Sequence, residues 1–220
     1  MKQTILATLL LASFFTACKK EETNADTTTT DSIVAKPATP VAHEEDKDKE
    51  EITQLIRKTL VWADGKAPHL LPGVLKEGDS IYSGVDFEQL QKNLELVKDT
   101  GFFAKEFIDN CDKIAKTIDK KVKANEYGPW DSREYPPFNI YSEVNPWCDC
   151  QDHRDWNKVK TEVVILYADR GELYWQFETH PGDDPSWREF SYTFRVVKEG
   201  GKWKISYLQG FDYNEAIKGF

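Results

Sequence analysis

The sequence predicts an α+β fold, with three N-terminal helices packed on a curved four-stranded antiparallel sheet. Three observations carry that expectation. Residues 158–208 alternate apolar and polar side chains and are broken at short intervals by Gly, Pro and Asp, as in a β-meander. Three segments within residues 50–122 repeat their apolar residues at helical spacing. The helical block precedes the strand block instead of alternating with it, so the helices collect on one face of the sheet.

Each strand rests on its own run. Residues 161–167 are rich in β-branched and aromatic side chains, and 168–171 turn the chain, with Gly171 available for positive φ. The return strand, 173–178, sets Leu173, Trp175 and Phe177 on one face. A longer turn from His180 to Pro185 leads to a third strand, 187–197, with Phe190, Tyr192, Phe194 and Val196 at alternate positions. Glu199, Gly200 and Gly201 make a tight turn. In 202–208, Trp203, Ile205 and Tyr207 alternate with Lys202, Lys204 and Ser206. Short turns make the four strands antiparallel neighbours.

In the first helix, 50–62, Ile52, Leu55, Ile56, Thr59 and Leu60 form one stripe, and Gly65 and Pro68 end it. Asp86 opens the second helix, with Gln89 at capping-box spacing and Phe87, Leu90, Leu94 and Val97 on the stripe. Gly101 stops it. Phe103, Phe107, Cys111, Ile114, Ala115, Ile118 and Val122 mark the third. This order, with the closing Gly-Lys-Trp-Lys-Ile strand at 201–205, resembles the nuclear transport factor 2-like superfamily over residues 50–209. The resemblance implies a sheet curled around a helix into a cone whose mouth is the usual pocket, and a tendency to dimerise through the sheet's outer face, where Tyr174 and Tyr192 are expected.

The chain has 220 residues, with 29 Lys and Arg against 38 Asp and Glu, a net charge of −9. That balance argues against nucleic acid as a partner, because phosphate contacts need a basic face. Met1 and Lys2 precede an apolar run, 5–15, of signal-peptide length and too short to span a bilayer. Thr16, Ala17 and Cys18 close it and resemble the lipobox of bacterial lipoproteins, with Phe15 where Leu is usual. The resemblance implies cleavage before Cys18 and lipidation of that residue, hence a membrane anchor to which each buried methylene adds about 0.8 kcal/mol. Lys19, Lys20, Glu21 and Glu22 look like the surface-export signal of Bacteroidetes lipoproteins. Residues 23–49 are low-complexity, with a Thr run, Pro37, Pro40 and a final charge run, and read as a flexible spacer. The expected organisation is a signal peptide at 1–17, a lipidated N-terminus and disordered linker at 18–49, and the α+β domain at 50–220. The expected location is the outer membrane, on its periplasmic side or at the cell surface.

About 35 residues between the third helix and the first strand match neither periodicity, and a connection this long is functional or disordered. It is aromatic-rich, which favours order. Asn145-Pro146-Trp147 and Gln151-Asp152 resemble an Asp-Pro-Phe…Gln-Asp signature in a family of uncharacterised envelope lipoproteins of the same superfamily; Asn145 replaces the acidic residue. With Cys18 lipidated, Cys111, Cys148 and Cys150 remain in an oxidising compartment. A bridge from Cys111 to Cys148 or Cys150 would close roughly 40 residues, worth about 4 kcal/mol by chain entropy. A Cys148 to Cys150 bridge is the less favoured alternative. A metal site from Cys148, Cys150 and His153 with Asp149, Asp152 and Asp155 matches neither zinc nor EF-hand spacing, and no metal or cofactor is expected. Related ketosteroid isomerase-like cones use an Asp or His as general base, which makes His69, His153, His180 and nearby carboxylates candidates, but no nucleophile–base pair shows in the spacing.

The function expected is non-enzymatic binding of a small ligand or a protein by a membrane-anchored lipoprotein. Trp130, Tyr135, Trp147, Gln151, Asp152 and Trp187 are the expected ligand-binding residues, since aromatic side chains give large contact area at low entropy cost. The alternatives are an immunity-type protein that neutralises a toxin through an acidic surface, and a small-molecule isomerase or hydrolase using Asp152 or His153.

Overall fold

The computed structural model describes residues 42–76, 78–151, 155–178 and 189–220. The chain divides into two compact units, Met1–Thr39 and Pro40–Phe220. The first lies outside the described residues, and with it the expected signal peptide, Cys18 and most of the spacer.

The elements in order are α1 (Ala42–Lys66), β1 (Gly73–Leu75), β2 (Tyr82–Val85), α2 (Phe87–Asp99) and α3 (Lys105–Lys123). An irregular segment follows, then a 3-10 turn (Trp156–Lys158) and the strands β3 (Val159–Leu166), β4 (Arg170–Phe177), β5 (Tyr192–Glu199) and β6 (Lys202–Leu208). A second 3-10 turn (Gln209–Phe211) and α4 (Tyr213–Ala216) close the chain. The protein is α+β, with a four-stranded antiparallel sheet in the order β3-β4-β5-β6. The helices are not all N-terminal, because α4 follows the sheet. A two-stranded β1–β2 sheet also separates α1 from α2. Its strands of three and four residues are too short to show a period. Gly84 makes this hairpin fit: at φ 148 it lies against the Asp119 carboxylate, which accepts from Val85 N–H at 3.0 Å.

The inner face of the sheet carries Leu173, Trp175, Phe177, Tyr192, Phe194, Val196, Trp203 and Ile205, all buried. Tyr192 is therefore a core residue and does not belong to the outer face expected to dimerise. In β6 the alternation changes phase. Val196 pairs with Ile205 but Arg195 pairs with Tyr207, so a bulge at Ser206 turns Leu208 inward and leaves Tyr207 half-buried. A second irregularity between Val163 and Ile165 leaves Val164, Ile165 and Tyr167 exposed at the end of β3.

Helix α1 crosses the inner face and touches both edge strands, β3 and β6. Ile52, Ile56 and Leu60 are its buried stripe. Thr53 and Thr161 share a hydrogen bond at 2.5 Å between their hydroxyls, and Arg57 Nε donates to Val159 O at 2.8 Å. The helix begins at Ala42, earlier than the Glu50 expected, so the charge run is not spacer. Asp48 explains part of the difference: it accepts from Trp203 Nε1 at 2.9 Å and from Lys198 Nζ at 3.0 Å. The other edge, β6, is covered by the chain entering α3, where Ala104 N donates to Ile205 O and Ile205 N to Phe102 O. Helix α2 starts as its capping spacing implies, with Asp86 accepting from Gln89 N at 2.9 Å.

Asp48 yields a pH-dependent prediction. Burial by itself would raise its pKa, but the hydrogen bonds from Trp203 and Lys198 and the lysine charge outweigh burial and leave it lowered. The contact therefore stabilises fully above the ordinary value of 3.8, and its contribution is lost as pH falls through the depressed folded value. Asp48→Ala should cost about 1–3 kcal/mol in urea unfolding at pH 7, because it orphans an indole N–H and an ammonium. The deficit should shrink in strong acid.

Candidate functional site

The irregular segment after α3 is ordered by long-range backbone bonds. Asn125 ends the helix at φ 53. Tyr82 N then donates to Trp130 O and Ser132 N to Ser80 O, tying the segment to β2. Asn139 N donates to Lys218 O, Ile140 N to Ala216 O and Tyr127 Oη to Ile217 O, tying it to the C-terminal tail. Every such bond satisfies a group that a buried loop would otherwise leave unpaired.

Residues 145–150 form a tight turn nucleated by Asn145. Its carbonyl accepts from Cys148 N at 3.1 Å and Asp149 N at 2.8 Å, its Oδ1 accepts from Trp147 N at 3.1 Å, and its N–H donates to Cys150 O at 3.0 Å. Asp149 takes the left-handed conformation, φ 51, which reverses the chain within one residue and brings Cys148 and Cys150 to a Cα separation of 5.1 Å. They form a disulfide. The favoured bridge from Cys111 is thereby corrected: Cys111 is a free, buried thiol on α3, and burial pushes its pKa far up. The Asp149 backbone reversal makes the short bridge possible, and residue spacing does not reveal it.

Of the described residues expected to line a binding mouth, Trp147 and Gln151 border one small crevice, and Trp130 and Tyr135 do not border it. Trp130 is buried against Tyr82 and Phe138. Trp147 is buried in another aromatic cluster with Trp62, Phe103, Phe107 and Phe211. Both are core residues. Tyr135 is 75% exposed, and Gln151 is exposed with its Nε2 donating to Glu143 O at 3.2 Å. Asp152, His153, His180 and Trp187 lie outside the described residues. The bridge also removes Cys148 and Cys150 as thiolate ligands, and Asp155 caps the 3-10 turn by accepting from Asn157 N at 3.2 Å. Among the described residues no group of three or more potential metal ligands occurs. His69 stacks on Tyr141 at 4.2 Å. Partial desolvation lowers its pKa, and its Nδ1 lone pair is occupied by the Leu71 N–H.

The structure instead opens a pocket of about 340 Å³ where this segment meets the C-terminal tail. Residues 139–144, Pro146 and Asp149 form one wall, and Gln209, Gly210, Glu215 and Ala216 the other. Tyr192, fully buried, holds the walls together: its hydroxyl donates to Pro146 O at 2.6 Å and accepts from Gly210 N at 2.9 Å. Burial pushes the Tyr192 pKa well above the ordinary phenol value, so it remains a donor. No Lys or Arg lines the pocket, whereas Glu143, Asp149 and Glu215 do. Glu215 is paired with Lys218 at 2.6 Å, and desolvation raises the Asp149 carboxyl. Two signals for this site were present in the sequence: the Gln209-Gly210 pair after β6, which was unread, and the carboxylate of Asp149, which was read only as a candidate metal ligand. Tyr141, at φ 65 in the pocket wall, gave none.

No family model matches the chain, and no solved structure matches it. Among curated proteins it is similar to peptide chain release factor 2 of Kosmotoga olearia, at 21% identity over 184 residues, covering 77% of this chain and 49% of that protein. The chain thus spans about half the length of the curated relative it matches. Among the described residues no helix is long and apolar enough to cross a membrane.

The two walls can be tested apart from any ligand. A Cβ on residue 210 would collide with the Pro146 carbonyl, which is backbone and cannot swing away. Gly210→Ala should therefore destabilise by about 1–3 kcal/mol. Tyr192→Phe keeps the ring but orphans Pro146 O and Gly210 N, and should cost a similar amount. Urea titrations of both variants check this, with wild-type stability in Tyr192→Phe as the contrary result.

Proposed function

We propose that the protein is a lipoprotein of the bacterial outer membrane, held through lipid on Cys18, whose folded unit binds a small ligand without turning it over. The address rests on the apolar run, the small residues before Cys18 and the low-complexity stretch after it. We also propose that the fold is the nuclear transport factor 2-like cone. Its support is that α1 lies against one face of the four-stranded sheet and touches both edge strands. The likeness to a release factor is too distant and too partial to add to this reading.

The carrying observation for binding is the pocket whose walls Tyr192 clamps. Its 340 Å³ suit a small ligand. With carboxylates and no cationic side chain in its lining, it favours a ligand bearing positive charge or several donors. Amide groups of Asn139 and Gln209 add donors and acceptors.

A second reading has its own observation. Val164, Ile165 and Tyr167 are exposed together at the end of edge strand β3, on a chain of net charge −9. An apolar patch on an acidic protein suits a basic protein partner, the toxin-neutralising alternative. A second copy of the chain is the other candidate for that face. An isomerase or hydrolase using Asp152 or His153 keeps its own test, since Asp152→Ala would abolish turnover with folding intact.

Native mass spectrometry of the mature protein from its host's envelope separates these readings. Ligand binding predicts a retained mass of a few hundred daltons, reduced at least tenfold in occupancy by Asp149→Asn, a change that keeps the left-handed backbone accessible. Because partial desolvation raises the Asp149 carboxyl, occupancy of a cationic ligand should begin to fall at a higher pH than an unperturbed Asp would give. A co-purifying protein would favour the interaction reading, and a bare monomer would overturn the ligand reading.

A further inference from the structure

We propose that Cys148–Cys150 is a reversible redox couple, a disulfide that a dithiol of the cell envelope reduces and that exchange with a small-molecule disulfide, itself reduced to two thiols, restores, within a fold that persists in both states. Four observations lead there. First, the bridge spans one residue. The entropy a disulfide removes from the unfolded chain grows with the loop it closes, so this bridge contributes close to the least possible. Second, the turn is held without it. Asn145 makes four hydrogen bonds across residues 145–150, Tyr192 anchors Pro146, and Trp147 is packed among four aromatic rings. Reduction breaks none of these contacts.

Third, the reduced state finds acceptors in place. Cys148 Sγ lies 3.7 Å from Asn145 O and 3.8 Å from Cys150 O, within the range of a thiol donor to a carbonyl. Fourth, both cysteines border a crevice of about 50 Å³ between the end of α1, at Leu60, Ala63 and Asp64, and the turn. Trp156 borders it too, and its buried indole N–H has no acceptor among the described residues. A buried unpaired donor is costly, and this one belongs to a residue that borders the same crevice as the disulfide. The crevice has room for a sulfur and a methylene but not for a folded surface, so the attacking thiol must be slender. Cys111 takes no part: it is buried on α3 with its thiol pushed far up.

The exchange balances as two displacements. A thiolate of the dithiol attacks one bridge sulfur; the Cys148–Cys150 bond breaks, a mixed disulfide forms, and the released cysteine takes a proton. The dithiol's second thiolate then attacks its own mixed-disulfide sulfur and releases the other cysteine, which also takes a proton. Two electrons and two protons pass to the cysteine pair, and the dithiol becomes a disulfide.

Dithiothreitol serves as the probe. The full mature protein is equilibrated with it in the absence of denaturant, quenched in acid, unfolded and alkylated, and peptide mapping reads Cys148 and Cys150 separately from Cys111 and Cys18. The expected result is alkylation of both bridge cysteines after native reduction, with neither alkylated before it. The near-ultraviolet circular dichroism should be unchanged, and oxidised glutathione should restore the starting state. The double variant Cys148→Ser with Cys150→Ser should fold and melt within a few degrees of the wild type. Reduction that requires denaturant, loss of the aromatic circular dichroism on reduction, or a double variant that does not fold would each overturn the proposal.

Discussion

The grip of the sheet on α1 is the constraint from which the rest of the architecture follows. A four-stranded sheet has two edges, and here one helix touches both. Apolar burial supplies the drive: Ile52, Ile56 and Leu60 are essentially removed from water, each worth about 1.5–3 kcal/mol. Burial is non-directional, however, and does not fix how the helix lies. Direction comes from polar contacts at separate points along it. Asp48 reaches the β5–β6 hairpin, Thr53 reaches Thr161, and Arg57 caps the carbonyl of Val159. With the helix so placed, β6 is left with an open edge beside α3, and the strand-like pairing of residues 102–104 with Ile205 closes it. Bulges at Val163–Ile165 and at Ser206 add local twist to the sheet that α1 crosses.

What could be read from the sequence is what depends on neighbours in sequence. The alternation in 202–208 located β6, the Asp86 to Gln89 spacing located the start of α2, and the apolar stripe of α3 located its buried face. What could not be read depends on partners far along the chain. Residues 42–49 carry almost no apolar side chains and look like spacer, yet they are helical, and Asp48 has partners 150 and 155 residues away. The aromatic connection misled in a different way. Composition says that Trp130 and Trp147 bury area but not against what, and both bury it inside the fold. The Ser206 bulge is equally silent in the sequence, because alternation continues through Tyr207 while the backbone changes phase.

The cysteines show the same division. Chain-entropy reasoning ranks bridges by loop length and so favoured Cys111 as a partner. It ignores whether the backbone can present the two sulfurs to each other. Asp149 in the left-handed region decides that locally, and Asp is among the few non-glycine residues that adopt it at low cost. Stabilisation of the connection then has to come from elsewhere, and it does, through backbone bonds to β2 and to the C-terminal tail.

Asp149 and Tyr192 together explain why the pocket sits where it does. Gly210 and Pro146 approach so closely that no side chain fits between them, and only a hydroxyl reaching in from the sheet pairs both backbone groups. That contact pins the turn to the tail at one point and leaves the space beside it open. Asp149, reversed by its backbone, lines that space, which a buried position in the turn would not allow. Desolvation raises its carboxyl, although the residue keeps contact with solvent, so the cost to the ionised form is partial. A ligand that brings donors or positive charge to that wall relieves the cost, and the free energy so released favours association over an equally shaped pocket with neutral walls.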